Sequence, residues 1–134
     1  MAQSAGLHEP EGELNPKTID RHRAITSIQE ELEAVDWYDQ RVDATTDTDL
    51  AEVLAHNRDE EKEHAAMTLE WLRRNDPALD RHLRTYLFST GSVLAVERHE
   101  AEADRASPAD PSPADPSLGI GDLREDSTSD LPDR

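Results

Sequence analysis

The sequence predicts an all-α fold, in which an antiparallel two-helix hairpin plus a short C-terminal helix dimerises into a four-helix bundle. No Gly or Pro interrupts residues 17–74, and apolar residues recur there at intervals of three and four. A run of capping and turn residues at 45–49 divides this stretch into two helices. Only 34% of residues are apolar and mean hydropathy is -0.86, so a lone chain buries little surface. We therefore expect self-association.

The first helix begins at Asn15-Pro16, because Asn is a preferred N-cap and Pro is favoured at the first helical position. It is predicted to run to about Thr45. Glu31 is the one acid in its otherwise largely apolar stripe. The stripe consists of Ala24, Ile28, Glu31, Val35, Tyr38 and Val42.

The second helix follows the turn residues, where Asp49 and Glu52 resemble a capping box. It is predicted to extend to about Arg74. Its inward row is polar in the middle and apolar towards both ends. The row consists of Leu50, Leu54, Asn57, Glu61, His64, Thr68 and Trp71.

The remaining chain divides by composition. Asp76-Pro77 predicts the start of a third helix through about Phe88, and residues 93–105 predict a weaker fourth helical piece. The repeated Ser-Pro-Ala-Asp-Pro that follows cannot sustain a helix or a strand. The predicted organisation is a flexible N-terminal arm at 1–14, a helical domain at 15–105, a Pro/Ala/Asp-rich linker at 106–117 and a C-terminal tail at 118–134.

The charge balance restricts the partners. The formal net charge is -17, from 31 acidic and 14 basic residues, which disfavours nucleic acid and anionic membrane and favours cations. Adaptation to a salty interior is a competing explanation of this acidity. There is no cysteine, so disulfides and thiolate metal sites are excluded. No signal peptide or long apolar segment is evident, and we expect a cytoplasmic protein.

Three candidate metal ligands fall at one level of the predicted hairpin. Glu31 lies some fifteen residues before the turn, and Glu61 and His64 lie some fifteen and eighteen residues after it. At ~1.5 Å per residue, all three are roughly 22 to 27 Å from the bend. Glu61 and His64 form a Glu-x-x-His motif, which puts both side chains on one face of a helix.

Carboxylates with imidazole suit iron or manganese and also bind zinc. Bundles with a two-metal centre use a Glu from each of two helices and a Glu-x-x-His from each of the other two. This chain supplies one of each, so two copies complete the site and the bundle together. Two Fe(II) ions held there can each give an electron to oxygen, which favours ferroxidase activity. The competing interpretation is that Glu61 and His64 belong to a solvated, highly charged helix face.

Other polar residues carry weaker signals. Glu30 and Glu33, one helical turn apart, are candidates for a subsidiary cation site, although solvation alone accounts for most exposed acids. Tyr38 is either core packing or a neighbour of the ligands. His56 follows Glu52 by one turn and is either a metal ligand or, as we favour, part of an ordinary surface pair, and the remaining histidines stay unassigned. They include His22, His82 and His99.

Two blocks, EELEAVDWYDQR and HNRDEEKEHAAMTLEWLRR, are similar to encapsulated ferritins, the ferritin-like ferroxidases housed in encapsulin shells. The resemblance covers roughly residues 8–90 and the tail. It implies that Glu31, Glu61 and His64 are iron ligands shared between two subunits, with two irons per dimer, in a ring-shaped decamer. It also implies that Trp37 and Tyr38 lie close to the site and that Glu30 and Glu33 serve secondary metal binding or metal uptake.

The tail contains a small apolar island similar to cargo-loading peptides that dock on the inner wall of an encapsulin shell. Its apolar side chains would anchor it, its glycines permit an extended path, and the Pro-rich linker gives it reach. By resemblance we expect these residues to bind the shell protein: Leu118, Gly119, Ile120, Gly121 and Leu123.

The leading hypothesis is thus a ferroxidase that oxidises Fe(II) with oxygen at a di-iron site shared by two subunits and delivers iron for mineral storage inside the shell. The alternative is a non-catalytic acidic helical adaptor, whose metal residues are structural and whose tail recruits a partner. A di-metal oxygenase or peroxidase is disfavoured, because the sequence shows no sign of a substrate pocket.

Overall fold

A computed structural model describes residues 6–107 of the 134-residue chain. The described part is all-helical, as predicted. A short 3-10 helix at Glu11–Glu13 precedes α1, within the segment predicted to be a loose arm. The four α-helices are α1 (Pro16–Ala44), α2 (Thr48–Arg74), α3 (Pro77–Tyr86) and α4 (Val93–Ala106).

Helices α1 and α2 form the predicted antiparallel hairpin. The Asn15 side chain accepts a hydrogen bond from the Lys17 backbone N–H at 2.9 Å, which caps α1 as expected. The cap of α2 is Asp47, which accepts from the Leu50 N–H at 3.0 Å, so the prediction of Asp49 was wrong. Asp49 already lies in the first turn, where a carboxylate favours the positive end of the helix dipole without capping it.

Helix α3 ends two residues before the predicted boundary. Asp76 caps its start by accepting from the Leu79 N–H at 3.0 Å. Phe88, predicted to be helical, has φ +60°, a conformation that a bulky side chain rarely adopts and that cannot continue a helix. Gly91 at φ +79° completes the turn, and Ser92 caps α4, which is a full 14-residue helix.

An ion-pair network fixes the corner between α2 and α3. Arg73 donates to Glu70 at 2.6 and 2.7 Å and also to Asp80 of α3. Arg84 donates to Asp80 at 3.0 Å, and Arg74 donates to Glu70 at 2.9 Å. These five residues are called the corner network below. The hydrogen bonds from Arg73 and Arg74 lower the pKa of Glu70 to about 2, and those from Arg73 and Arg84 hold the pKa of Asp80 below its usual value.

The core of the described chain is very thin. Only three apolar residues in 6–107 are buried, namely Ala24, Ala65 and Leu72. Large apolar side chains are instead exposed along both long helices, among them Ile25, Leu32 and Met67. Within the described residues, no helix has the length and apolar character needed to cross a membrane. A chain that buries so little is marginal alone, and self-association stays a prediction.

Candidate metal centre

Three polar side chains from two helices meet midway along the hairpin. Glu31 comes from α1, while Glu61 and His64 come from one face of α2. One ligand atom from each residue lies within 4.8 Å of the others. These three residues are called the metal-ligand cluster below, and they are the residues that register counting placed at one level.

The imidazole of His64 faces both carboxylates. Its Nδ1 atom lies 3.2 Å from Oε2 of Glu61 and 3.8 Å from Oε2 of Glu31. The Glu31 and Glu61 side chains are only 27% and 24% exposed, whereas that of His64 is 53% exposed. The cluster therefore sits in the groove between the helices and remains open on the side of His64.

Mutual hydrogen bonding of the two carboxyl groups controls their protonation. The pKa of Glu31 is raised, chiefly by its hydrogen bond with Glu61 and then by burial. The same hydrogen bond, together with that from His64, lowers the pKa of Glu61. Glu31 therefore holds a proton more readily than an ordinary glutamate does, and Glu61 holds one less readily. The hydrogen bond with Glu61 also raises the pKa of His64, so a positive charge is favoured at this point.

The donor set fits a metal ion but does not complete its coordination. Two carboxylates and one imidazole match iron, manganese or zinc. A divalent cation would relieve the repulsion between the two converging carboxylates. A two-metal bundle centre takes a second Glu and a second Glu-x-x-His from two further helices. Among residues 6–107, no other acidic or histidine side chains form a ligand group of three.

The residues predicted to assist the cluster all lie on α1, and none of them belongs to the cluster itself. Tyr38 is half-buried, and the guanidinium of Arg41 lies over its ring, 5.6 Å from the centroid. Trp37 is exposed and lines a cavity of about 390 Å³ with Arg41 and neighbouring α1 residues. Glu30 and Glu33 are both exposed and contribute no ligand atom to the cluster. Their roles remain predictions.

One contact near the cluster was missed from the sequence. Arg58, one turn before Glu61, donates from Nη1 to Oδ1 of Asp39 on α1 at 2.9 Å. In the described chain this is the one ion pair between α1 and α2 outside the cluster. It ties the two helices together close to the register at which the ligands meet. A basic residue one turn before the motif was a visible signal, but its partner is nineteen residues away.

The tail prediction lies outside the described residues. It concerns Leu118, Gly119, Ile120, Gly121 and Leu123.

Comparison with known protein families and curated proteins gives consistent results. The EncFtn-like family matches residues 6–90. An encapsulated ferritin-like protein of Rhodospirillum rubrum is 55% identical over 139 aligned residues, covering 100% of this chain and 99% of that protein. A ferritin-like protein of Thermotoga maritima is 56% identical over 90 residues, covering 67% of this chain and 79% of that protein.

A more distant relative and a solved structure agree with these matches. The encapsulin nanocompartment cargo protein EncC of Myxococcus xanthus is 37% identical, covering 73% of this chain and 79% of that protein. The crystal structure of protein ne0167 from Nitrosomonas europaea superposes with a TM-score of 0.64 and 60% sequence identity. The superposition covers 66% of this chain and 97% of that one, so the similarity extends over nearly the whole of the solved protein.

Proposed function

The chain belongs to the EncFtn-like family, and on this premise we propose that it is a ferroxidase, which oxidises Fe(II) to Fe(III) with oxygen at a site shared by two subunits. The observation that carries the proposal is the convergence of Glu31, Glu61 and His64 from two helices. Family membership supports an iron-related function in the context of an encapsulin shell. The oxidation step and the two irons per dimer are our inference from the ligand set.

The half-complete ligand set supports the dimer as the active unit. One chain offers two carboxylates and one imidazole, and a two-fold axis doubles these to four and two, the number that a two-metal bundle uses. Exposed apolar side chains flank the ligands on both helices, Leu32 beside Glu31 and Met67 beside His64. A second hairpin packed on this face would bury them and exclude water from the ligands. The proposed larger assembly is a ring of five such dimers.

Each ligand has a defined role in handling Fe(II), the substrate. Glu31 and Glu61 would bind it through carboxylate oxygens, and His64 through a ring nitrogen. Bound iron supplies the one-electron chemistry, with oxygen as the acceptor. Because the pKa of Glu31 and that of His64 are both raised, Fe(II) competes with protons at these two side chains. Binding should therefore strengthen as pH rises, while Glu61 offers the more readily ionised carboxylate.

The test is Fe(II) oxidation followed as oxygen consumption and absorbance of Fe(III). Glu31→Ala and His64→Ala should each lower the rate at least roughly a hundredfold, since each removes a direct ligand. His56→Ala is the matched control, because His56 pairs with Glu60 at 3.0 Å on the same helix but outside the cluster. We expect it to stay within about twofold of the natural chain. Full oxidation by the His64 variant would falsify the assignment.

The alternative of a non-catalytic adaptor predicts different behaviour in the same assay. Such a protein would carry zinc or no metal after growth in iron-rich medium and would consume no oxygen. Metal analysis of the purified protein separates the two functions before any variant is made.

The proposed destination of the iron is mineral storage inside an encapsulin shell in the cytoplasm, reached through the tail. Truncation before Leu118 should leave Fe(II) oxidation intact and abolish co-purification with the shell protein. A chain with the tail truncated at residue 124 keeps the proposed peptide and is the control. Unchanged co-purification of the shorter chain would remove the tail from the proposal.

A further inference from the structure

A basic pocket lies at the open end of the hairpin. It has a volume of about 260 Å³ and is formed where the start of α1 meets the end of α2 and the start of α3. Three cationic side chains and one acid line it, together with an indole ring. These are Lys17, Arg21, Arg74, Asp20 and Trp71. Three of the 14 basic residues of a chain with net charge -17 thus converge on one small cavity.

Two of the three cations of the pocket, Lys17 and Arg21, lack an ion-pair partner among residues 6–107, whereas Arg74 pairs with Glu70. Its one acid, Asp20, accepts from Arg23 at 2.8 Å, and Arg23 lies outside the lining. Arg74 shares Glu70 with Arg73. Within residues 6–107, neither Lys17 nor Arg21 has a carboxylate partner within 4.0 Å, and the guanidinium of Arg21 contacts the hydroxyl of Thr18 at 3.4 Å.

By helical spacing, the pocket lies in line with the metal-ligand cluster along both long helices. On α1, Lys17 and Arg21 lie on the same face as Ala24 and Glu31, because these residues follow one another at spacings of four, three and seven. Trp71 continues the row of α2 that carries His64. Ten residues separate Arg21 from Glu31, which corresponds to about 15 Å along a helix.

We propose that this pocket binds a small oxyanion of the phosphate type. Guanidinium groups present N–H donors in a planar fork that suits such oxygens, and an ammonium group adds a compact charge. The cavity is several times the ~30 Å³ share of one water molecule, so it admits a tetrahedral anion and its remaining waters. Its small volume and its convergent cations disfavour an extended acidic peptide. The site is distinct from the metal-ligand cluster and shares no residue with it.

Calorimetric titration of the full-length assembled protein with inorganic phosphate tests the proposal. We expect saturable binding of one phosphate per chain, weakened roughly tenfold or more by Arg21→Ala and by Lys17→Ala, since each removes a charged donor. Arg98→Ala is the control, because it removes the same charge from exposed α4. Sulfate should compete and chloride should not.

Fluorescence locates the bound anion. The chain has two tryptophans, so Trp37→Phe leaves Trp71 in the pocket as the reporter. Its emission should change over the same phosphate range as the calorimetric signal. Absence of saturable binding to the natural chain would overturn the proposal, as would equal weakening by Arg98→Ala. Circular dichroism establishes whether each variant is folded. If Arg21→Ala does not fold, Lys17→Ala, which changes an exposed position, replaces it as the test variant.

The outcome is separable from ferroxidase activity. Arg21→Ala assayed in phosphate-free buffer should oxidise Fe(II) at the rate of the natural chain while failing to bind phosphate. Loss of both properties in a folded Arg21→Ala would contradict the independence of the two sites.

Discussion

The metal-ligand cluster joins α1 to α2 and the corner network joins α2 to α3; each contains two acids, and they differ in how the charge of those acids is balanced. At the corner, Glu70 and Asp80 each meet arginine side chains, and both have lowered pKa values. In the cluster, Glu31 and Glu61 meet each other and one histidine, and the pKa of Glu31 is raised. Arginines pair with both acids at the corner, whereas in the groove only His64 can offset the two carboxyl groups.

We infer from this difference that the corner is structural and that the groove serves the proposed function. A carboxylate that is already paired with guanidinium groups is a poor metal ligand, because its charge is balanced and its lone pairs accept hydrogen bonds. Carboxylates that face each other in a groove are stabilised by any cation that enters. The corner holds α3 against α2, and the groove is left open to a ligand and to a second chain.

The number of bound metal ions should differ most between variants of the metal-ligand cluster and variants of the corner network. Glu61→Ala removes one of three ligands and should reduce bound Zn²⁺ or anaerobic Fe(II) from two per dimer to none, measured by native mass spectrometry with elemental analysis. Glu70→Ala removes an equal charge from the corner and should retain two. Retention of both metals by the Glu61 variant would break the contrast.

Thermal stability should show a smaller contrast. Metal at 100 times its dissociation constant stabilises the folded state by about 2.7 kcal/mol. This raises the melting temperature by about 5 to 10 °C for an assembly of this size. We expect that increase in the natural chain and in Arg73→Ala but not in His64→Ala, as measured by calorimetry with and without metal. An equal increase in all three proteins would place the metal elsewhere.

The smallest expected effect is the pH dependence of the stability that the corner network contributes. The folded pKa of Glu70 is about 2, below its ordinary value of 4.5. Its contribution to stability is therefore fully present above about pH 4.5 and is lost as pH falls towards 2. The difference in unfolding free energy between the natural chain and Glu70→Gln should be constant at neutral pH and should shrink across that window. Urea unfolding at several pH values measures it, and a difference that stays constant down to pH 2 would contradict the pairing.

Sequence reasoning recovered the parts of the molecule that depend on local periodicity. The stripe around Glu31 and the Glu-x-x-His of α2 defined the hairpin faces, and counting from the turn brought the ligands together because helix rise is constant. The N-cap of α2 was misplaced from Asp47 to Asp49, since a run of alternating Thr and Asp offers several caps of similar strength.

The rest depended on contacts that sequence spacing does not encode. Arg73 reaches Asp80 across a helix break, and Arg58 reaches Asp39 across the turn. The basic pocket draws on three separate segments, so its cations are dispersed in sequence. The proposed two-metal site takes half of its ligands from a second copy, whose position the spacing within one sequence does not give.

The scarcity of buried side chains, with only Ala24, Ala65 and Leu72 enclosed among residues 6–107, has a consequence for handling the protein. Most of the apolar surface on its long helices can leave water only by contact with another molecule. If the chain dimerises as proposed, its unfolding midpoint should depend on its own concentration. Dilution should act on it as a denaturant does, and its lifetime in a cell would depend on how quickly newly made chains meet.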